Sequence, residues 1–434
     1  MYRSNNQVLL FLALAYIGWY FYYLHRYIVD MPYIDDYDAI LGYILQFRQA
    51  DFWATVQSLV LPHNEHIMTV TRLVSWCNVA LTGTIDFYGL IIIGNGLLLW
   101  QLWLLYTLFR TSENIPSVYF LLVILIFLNP QYSPTSFWAM ALWSNIWVLI
   151  PVTLSIFFLS NPKTWFWALP MALLALFGNG NGLFIWPVGL AILFLAKRPL
   201  FQYMVWGITG GIFCSIYFYL MRQQPSSGMF ELSHLSMVPL NTLAFVGAYF
   251  ALVSGKLGQT IAILAGTSIL ILGFFTLKKY LATKQKADLI LLSLLVFIFL
   301  TALAVALFRA EKGMGIIIGG RYRQYSSLAV GIGFLIAIRH FPLKGKSRIQ
   351  LLLWVAVSTI TCLSFFRDVG LRRATEERTV ADYHNILHNG IDVYTTTGTP
   401  RFVKTAREAR QLAIYMAPPK YDLTTHLKVA ALIH

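Results

Sequence analysis

The chain has 434 residues, of which 58% are hydrophobic, 16% aromatic and only 12% charged, and its formal net charge is +14. Soluble proteins average about 25% charged residues, so this composition excludes a soluble enzyme, a disordered regulator and a nucleic-acid-binding domain. Cytoplasmic loops of membrane proteins accumulate Lys and Arg, which accounts for the positive charge without nucleic acid as a partner. The sequence therefore predicts an all-α polytopic membrane protein.

Apolar runs that could form membrane-spanning helices recur along the chain. A spanning helix needs about 20 mostly apolar residues. The first run, from Val8 to Leu24, ends without a small-residue cleavage site and predicts a retained helix. The later runs lie at residues 87–109, 116–132, 144–160, 164–178, 183–197, 203–221, 260–277, 287–308, 325–339 and 349–366. Together these runs predict about eleven transmembrane helices.

A further apolar stretch, residues 240–254, is only marginal in length. With the N-terminus in the cytoplasm, the densest basic loops, 278–286 and 339–348, lie inside only if this stretch does not cross the bilayer. We therefore expect residues 240–254 to be re-entrant or interfacial and the C-terminus to be external. This topology leaves only Glu113 and Asp288 among the acidic residues on the cytoplasmic side.

Two predicted external segments are too long to be simple connectors. Residues 27–86 are rich in aromatic and aliphatic residues with helical periodicity, which is typical of amphipathic helices on a membrane surface. The tail, residues 367–434, is polar and mixed in charge and predicts a small external appendage. We therefore divide the chain into this appendage and a transmembrane domain, residues 1–366, which includes the external loop 27–86.

An acidic cluster, Asp35-Asp36-Tyr37-Asp38, follows the first predicted helix. An external carboxylate just above the bilayer suits a general base for an acceptor hydroxyl, or a group that stabilises positive charge developing on a sugar ring. Adjacent carboxylates raise each other's pKa, which suits proton transfer near neutral pH. The alternative interpretation is a solvated cluster or a helix N-cap, since Asp38 precedes an apolar stretch.

A second group lies later in the same loop, where residues 62–66 have the sequence PHNEH and Arg72 follows. His63, Glu65 and His66 are ligand-type residues, but their spacing is not that of known zinc helices. Three interpretations stay open for this group: a metal site, polar contact with substrate or with the acidic pair, and structural capping.

The predicted external loop between residues 308 and 325 is unusually basic. Arg309, Arg321 and Arg323 run against the usual cytoplasmic location of positive charge, and two tyrosines, Tyr322 and Tyr325, accompany them. A planar guanidinium matches phosphate bidentately, so a lipid-linked phosphate would account for external arginines. The alternative is an arginine–tyrosine anchor at headgroup depth.

A glycine–asparagine run, GNGNG at residues 178–182, separates two apolar runs on the predicted external face. Alternating glycines allow positive φ angles and close backbone approach, which would let Asn179 and Asn181 contact a substrate. A tight interhelical turn explains the same pattern without a ligand. The neighbouring segment 131–138 is equally open to a role in the site or in the interfacial aromatic belt.

Four of these features together resemble the GT-C superfamily of membrane glycosyltransferases, which includes protein mannosyltransferases and the lipid A aminoarabinose transferase. The features are Asp35-Asp36, the amphipathic character of residues 27–86, Asn64-Glu65-His66, and Arg321-Tyr322-Arg323-Gln324-Tyr325 at the head of a late helix. The resemblance covers roughly residues 1–366, mainly as architecture. It implies a polyprenyl-phosphate-linked sugar as the donor.

The resemblance also implies roles for individual residues. Asp35 or Asp36 would be the catalytic carboxylate, with Asp35 favoured as the base. Arg321 would hold the donor phosphate, with Arg323 or Arg309 as further candidates. The implied reaction is a single inverting displacement, in which a hydroxyl of a cell-envelope glycan or lipid-linked acceptor attacks the anomeric carbon on the external face.

Other properties stay open at this stage. No cofactor is required by the pattern, and a divalent cation, if used, would take its ligands from Asp35, Asp36, Glu65, His63 and His66. The chain has no Asn-x-Ser/Thr sequon, which favours a bacterial inner membrane protein surrounded by membrane lipids. A polysaccharide polymerase or a lipid-linked oligosaccharide flippase would also use external arginines, without needing an acidic pair. A transporter would be expected to carry ionisable residues or broken helices near the midplane.

Overall fold

The computed structural model of the protein describes residues 2–64, 66–110, 118–222, 232–341, 347–391 and 401–421. Over these residues the chain is helical apart from turns and one short hairpin. This agrees with the all-α class that the composition predicts.

The N-terminal part consists of one long helix followed by short elements. These are α1 (Tyr2–Tyr27), a π-helical turn (Tyr37–Gly42), α2 (Tyr43–Gln49), α3 (Phe52–Val60), β1 (Pro62–His63), β2 (His66–Ile67) and α4 (Thr69–Thr82). The two strands form an antiparallel hairpin in which His63 pairs with His66. The loop 27–86 is thus a set of short helices around one hairpin.

The middle of the chain alternates long helices with interrupted ones. Its α-helices are α5 (Phe87–Arg110), α6 (Val118–Phe127), α7 (Ser133–Ser136), α8 (Ala139–Ala141), α9 (Leu149–Leu159), α10 (Ala168–Leu176) and α11 (Ile185–Leu195). The path from α6 to α9 is broken by a 3₁₀ turn at Pro130–Tyr132 and a π-helical turn at Leu142–Ile146. Pro130 and Pro134 have no backbone N–H to continue a regular helix. This broken segment, residues 128–147, becomes important at the site.

The last part of the chain contains the longest helices. They and their short companions are α12 (Leu200–Met221), α13 (Val238–Gly247), α14 (Gly255–Thr283), α15 (Lys286–Phe308), α16 (Met314–Ile317), α17 (Arg323–His340), α18 (Ser347–His384) and α19 (Arg401–Gln411). Helix α13 covers the start of the stretch 240–254, and it is only about 15 Å long. It packs closely against α14 where Gly247 and Gly266 meet. A Cβ on either glycine would collide with the backbone of the other helix, so this approach requires glycine on both sides.

Among the described residues, eight helical stretches are long and apolar enough to cross a membrane by length and composition. They are Gln7–Tyr27, Phe87–Arg110, Val118–Ser136, Ala139–Leu159, Leu200–Met221, Gly255–Thr283, Lys286–Phe308 and Arg348–Asn389. The other three predicted spans correspond to the shorter helices Trp165–Leu176 and Gly180–Leu195 and to α17. The protein therefore has the architecture of a multi-pass membrane protein, and the count of eleven spans stays a prediction.

Burial separates a central helix from peripheral ones. Nearly every side chain of α17 from Gln324 to Ile338 is buried. By contrast, α1, α12, α14 and α18 leave large apolar side chains exposed along their length. Exposed apolar surface of this extent is what lipid-facing helices require.

Polar contacts show that one end of the bundle is basic. Arg339 at the end of α17 forms an ion pair of 3.1 Å with Asp288 at the start of α15. Lys279 Nζ of α14 donates to the Arg339 carbonyl at 3.2 Å, and Tyr280 donates to the Leu195 carbonyl at 3.3 Å. We call this the basic end. Its charged residues are among those that the positive-inside rule predicts to lie together on the cytoplasmic side.

The opposite end, which we call the loop end, gathers the other connections. Its described parts are residues 27–64, 66–86, 128–147, 177–184, 248–254, 309–325, 367–391 and 401–421. Helix α18 enters it as one continuous helix of 38 residues. The following residues fold back on the loop 27–86: Phe402 stacks on Tyr37 with ring centroids 5.3 Å apart, and Tyr415 donates to the Asp30 carbonyl at 2.6 Å. The described part of the tail 367–434 is thus packed on that loop.

Candidate functional site

Asp36 is buried between the segment after α1 and segment 128–147, with only 1% of its surface exposed. Its Oδ1 accepts a hydrogen bond from Met140 N at 2.9 Å, and its Oδ2 accepts one from Tyr33 N at 3.0 Å. Burial raises the pKa of this carboxyl to about 8, the two backbone donors oppose the rise, and Asp35 adds to it by repulsion. Asp36 therefore fixes the acidic cluster in place and is shielded from solvent.

Asp35 is the more accessible member of the acidic pair, because it is only half-buried. Its carbonyl accepts from Asp38 N at 3.2 Å and from Ala39 N at 2.8 Å, which starts the next helical turn. The preceding residue, Ile34, has a φ of +47°, a conformation that β-branched residues rarely adopt. The backbone is thus held in an unfavourable conformation immediately before the pair, which is common at functional sites.

Segment 128–147 connects the acidic pair to the basic loop. Met140 holds Asp36 through its backbone N–H, as described above. Five residues earlier, Thr135 Oγ1 donates to the carbonyl of Arg321 at 3.0 Å and to Gln324 Oε1 at 3.2 Å. Both groups predicted to act in catalysis therefore attach to the same short stretch of chain.

The same segment also meets the glycine–asparagine run and the start of α17. Asn145 Oδ1 accepts from Asn179 Nδ2 at 3.1 Å, and the Asn145 carbonyl accepts from the Tyr325 hydroxyl at 3.2 Å. That hydroxyl in turn accepts from Asn181 Nδ2 at 2.7 Å. The two predicted asparagines are therefore part of one polar network with Tyr325.

Arg321 is the arginine of the basic loop whose guanidinium N–H groups are least used by the protein. Its Nη2 donates to the Tyr322 hydroxyl at 3.4 Å, and its guanidinium lies over the Tyr322 ring, 5.3 Å from the centroid. Within the described ranges it has no carboxylate at ion-pair distance. Since a guanidinium has five N–H donors, most of them are available to an anion.

The other two predicted arginines are placed differently. Arg323 donates to the carbonyls of Ile318 and Ala251, each at 2.9 Å, and to Gln131 Oε1 at 3.4 Å. Its guanidinium therefore joins three segments of the protein's own backbone and side chains. Arg309 is half-buried at the end of α15 and has interactions of its own.

His66 of the hairpin lies against the glycine–asparagine run. Gly180 approaches so closely that a Cβ there would lie 2.7 Å from His66 Nδ1 and 3.1 Å from the Tyr217 hydroxyl. The backbone N–H of Thr69, just after the hairpin, donates to the Phe177 carbonyl at 3.0 Å. The close approach of His66 to residue 180 leaves little room for a larger side chain, which accounts for Gly180 in the run.

The predicted metal ligands can be placed only in part. His63 and His66 stand opposite each other in the hairpin, and Glu65 lies outside the described residues. Within the ranges that the structure describes, no three His, Cys, Asp or Glu residues group closely enough to hold a metal ion.

Arg72, predicted as a substrate contact, caps the C-terminus of α3. Its Nη1 donates to the carbonyls of Ser58 at 2.7 Å and Leu59 at 3.1 Å, and also to that of Leu61. Burial lowers the pKa of its guanidinium to about 10. A cation at the negative end of a helix satisfies carbonyls that have no partner in the helix itself, so this side chain is committed to the fold of the loop.

The central position of segment 128–147 in the site is not predicted from the sequence. It is anchored from two sides by buried polar contacts, because Asp368 of α18 accepts from the hydroxyls of both Ser133 and Tyr23. The signal in the sequence is a concentration of polar residues at the facing ends of two apolar runs, 116–132 and 144–160, and between them. These are Asn129, Gln131, Ser133, Thr135, Ser136, Ser144 and Asn145.

Comparison of the chain with protein-family models, with curated proteins and with solved structures finds no match. Its function has to be argued from the site itself.

Proposed function

We propose that this protein is an integral membrane glycosyltransferase that moves a sugar from a polyprenyl-phosphate-linked donor to a cell-envelope glycan or a lipid-linked acceptor. One observation carries the proposal: segment 128–147 bonds both the Asp36 carboxyl, next to the more accessible Asp35, and the backbone carbonyl of Arg321. The Arg321 guanidinium has no carboxylate partner among the described residues. A base and a phosphate-binding cation are the two groups that this reaction needs.

The reaction is a single displacement at the anomeric carbon. Asp35 takes the proton of the acceptor hydroxyl while that oxygen forms its bond to the anomeric carbon. The bond between this carbon and the phosphate oxygen breaks, and its electron pair leaves with the polyprenyl phosphate. Arg321 offsets the charge that builds up on the phosphate, so the leaving group needs no proton. One displacement inverts the configuration of the sugar.

Asp36 acts as a positioning residue in this scheme. Because its pKa is raised to about 8, its carboxyl is mostly neutral at pH 7. A neutral neighbour lets Asp35 stay ionised without like-charge repulsion, as a base requires. Asp36 also holds the loop against segment 128–147 through Met140 and Tyr33.

The architecture supports the same proposal. A loop of short helices containing an acidic pair, followed by a bundle of apolar helices, resembles the GT-C superfamily. If the protein is such a transferase, the loop end faces the periplasm of a bacterial inner membrane, where the acceptor glycan would be found. The asparagine network of Asn145, Asn179 and Asn181 lies at the same end, and amide groups of this kind would bind sugar hydroxyls.

The test is transfer of label from polyprenyl-phosphate sugars to endogenous glycan in membranes that contain the protein. We expect Asp35→Asn to lower the transfer rate by at least about 100-fold, since a general base contributes about 10²–10⁴. Asp36→Asn keeps a neutral side chain but loses one of the two backbone hydrogen bonds to Asp36, so it should lower the rate much less than Asp35→Asn does. Asp51→Asn, an exposed acid in the same loop, is the matched control. Full transfer by an Asp35→Asn/Asp36→Asn double variant at normal expression would contradict the proposal.

Polymerisation or translocation of a lipid-linked glycan is the alternative function. The accessible guanidinium of Arg321 would bind the phosphate of the lipid carrier in that case as well. Neither process needs Asp35. A protein of that kind would lose function in Arg321→Gln and keep it in Asp35→Asn, whereas a transferase loses function in both.

A further inference from the structure

Two turns lie side by side at the basic end, far from the acidic pair. The first basic turn, residues 196–199, joins α11 to α12, and the second basic turn, residues 284–286, joins α14 to α15. They are held together by the hydrogen bond of 3.3 Å from the Tyr280 hydroxyl to the Leu195 carbonyl. Arg198 of one turn and Lys286 of the other are close enough to repel each other.

Each of the two turns contains a lysine in a left-handed conformation. Lys197 has a φ of +50° and Lys284 a φ of +54°. Glycine or asparagine is the usual residue at such a position after a helix, because a longer side chain is strained there. Two strained positions in neighbouring turns are thus occupied by cations, where an uncharged residue would fit the backbone better.

Among the described residues, no carboxylate neutralises the positive charges of these turns. Lys284 lies over the Tyr280 ring, 5.0 Å from its centroid, and Arg198 donates to the Leu159 carbonyl at 3.1 Å. In the part of the chain that the structure describes, neither turn has a carboxylate at ion-pair distance, and the nearby Asp288 is engaged by Arg339. The N-termini of α12 and α15 add positive potential at the same place.

Apolar side chains flank the cations directly. Phe194 before the first basic turn is 72% exposed, Leu200 after it 73%, and Leu281 before the second basic turn 50%. A free inorganic anion would use only the charges. A molecule with a phosphate and hydrocarbon chains would use both the charges and this apolar surface.

We propose that the two basic turns bind the phosphate headgroup of an anionic phospholipid, whose acyl chains lie along Phe194, Leu200 and Leu281. Basic pockets between membrane helices recognise anionic headgroups in this way. The inference depends on the membrane location of the bundle and not on the chemistry proposed for the loop end.

The test compares lipids that share acyl chains and differ in charge. Purified protein in a neutral detergent is titrated with phosphatidylglycerol, with phosphatidylcholine and with inorganic phosphate, and binding is followed by native mass spectrometry and thermal unfolding. We expect phosphatidylglycerol alone to bind and to raise the unfolding midpoint. Lys197→Asn/Lys284→Asn should bind it about 25-fold more weakly, because each lysine near a headgroup contributes about a factor of five.

Asparagine tolerates the left-handed conformation, so this double variant should be at least as stable as the wild type without lipid. A single exposed change, Lys286→Gln, gives a second variant with the same expected direction. Lys256→Gln/Lys404→Gln removes two exposed charges at the loop end and should leave binding unchanged. Equal binding of phosphatidylcholine, equal stabilisation by inorganic phosphate, or unchanged binding by the lysine variants would each overturn the proposal.

Discussion

Replacing Asp36 by Asn tests whether the burial of this carboxyl controls the stability of the loop end. In the folded protein burial raises the pKa of Asp36 from 3.8 to about 8. The folded state therefore holds the proton more tightly than the unfolded chain does. The stabilising contribution of this proton is complete below about pH 4 and is lost progressively as the pH rises to about 8.

The size of the effect follows from the two pKa values. One pKa unit corresponds to about 1.4 kcal/mol, so the rise from 3.8 to about 8 corresponds to about 6 kcal/mol across this pH range. Asparagine does not titrate, so Asp36→Asn lacks this pH dependence. Its amide group cannot accept hydrogen bonds from both Tyr33 N and Met140 N, which costs about 1–3 kcal/mol at every pH.

Thermal unfolding of the purified proteins in one detergent, measured from pH 5 to pH 8.5, reads out both effects. The variant should be less stable than the wild type at pH 5, and the difference should shrink or reverse by pH 8. Asp51→Asn removes a carboxylate that accepts from Ala54 N at 2.8 Å at the exposed start of α3, and controls for the chemical change. Parallel profiles of wild type and Asp36→Asn would refute the reasoning.

Two further predictions concern stability at positions away from the reacting groups. Arg72→Ala leaves the last carbonyls of α3 without their donor and should lower the free energy of unfolding by about 1–3 kcal/mol. The loss would be seen as a lower unfolding midpoint, and Arg72→Lys should restore only part of it. Asp288→Asn leaves the buried Arg339 without its counter-charge and should destabilise by about 3–5 kcal/mol. Asp288→Leu/Arg339→Leu, which removes both charges, should recover most of that loss, and an equally unstable double variant would contradict this account.

Hydropathy predicts a helix well where apolar residues continue without a break between charged turns. The run 287–308 corresponds to α15 (Lys286–Phe308), whose first end differs by a single residue. The run 349–366 accounts for less than half of α18 (Ser347–His384). Beyond the apolar run, α18 makes tertiary contacts such as those of Asp368 with Tyr23 and Ser133, and hydropathy carries no information about them.

Residue types indicate candidates for the site, but they do not say which partner each will have. Asp36 and Arg323 are recognisable as candidates, yet the first is enclosed by Met140 and the second is bound by carbonyls at 251 and 318. Arg72 meets carbonyls 11 to 14 positions earlier in the chain, a distance that no local pattern encodes. These outcomes depend on how distant segments pack, and a single sequence does not reveal it.

Because α18 is one continuous helix, a change in its tilt is transmitted along its whole length toward the loop that contains the acidic pair. Its 38 residues correspond to about 57 Å, nearly twice the thickness of the hydrocarbon core. A change of about 10° in its tilt, such as a thinner bilayer produces, therefore moves its far end by about 5 Å. The residues that follow α18 rest on Tyr37, one position after Asp36. We therefore expect a change in bilayer thickness to shift the loop that contains the proposed base.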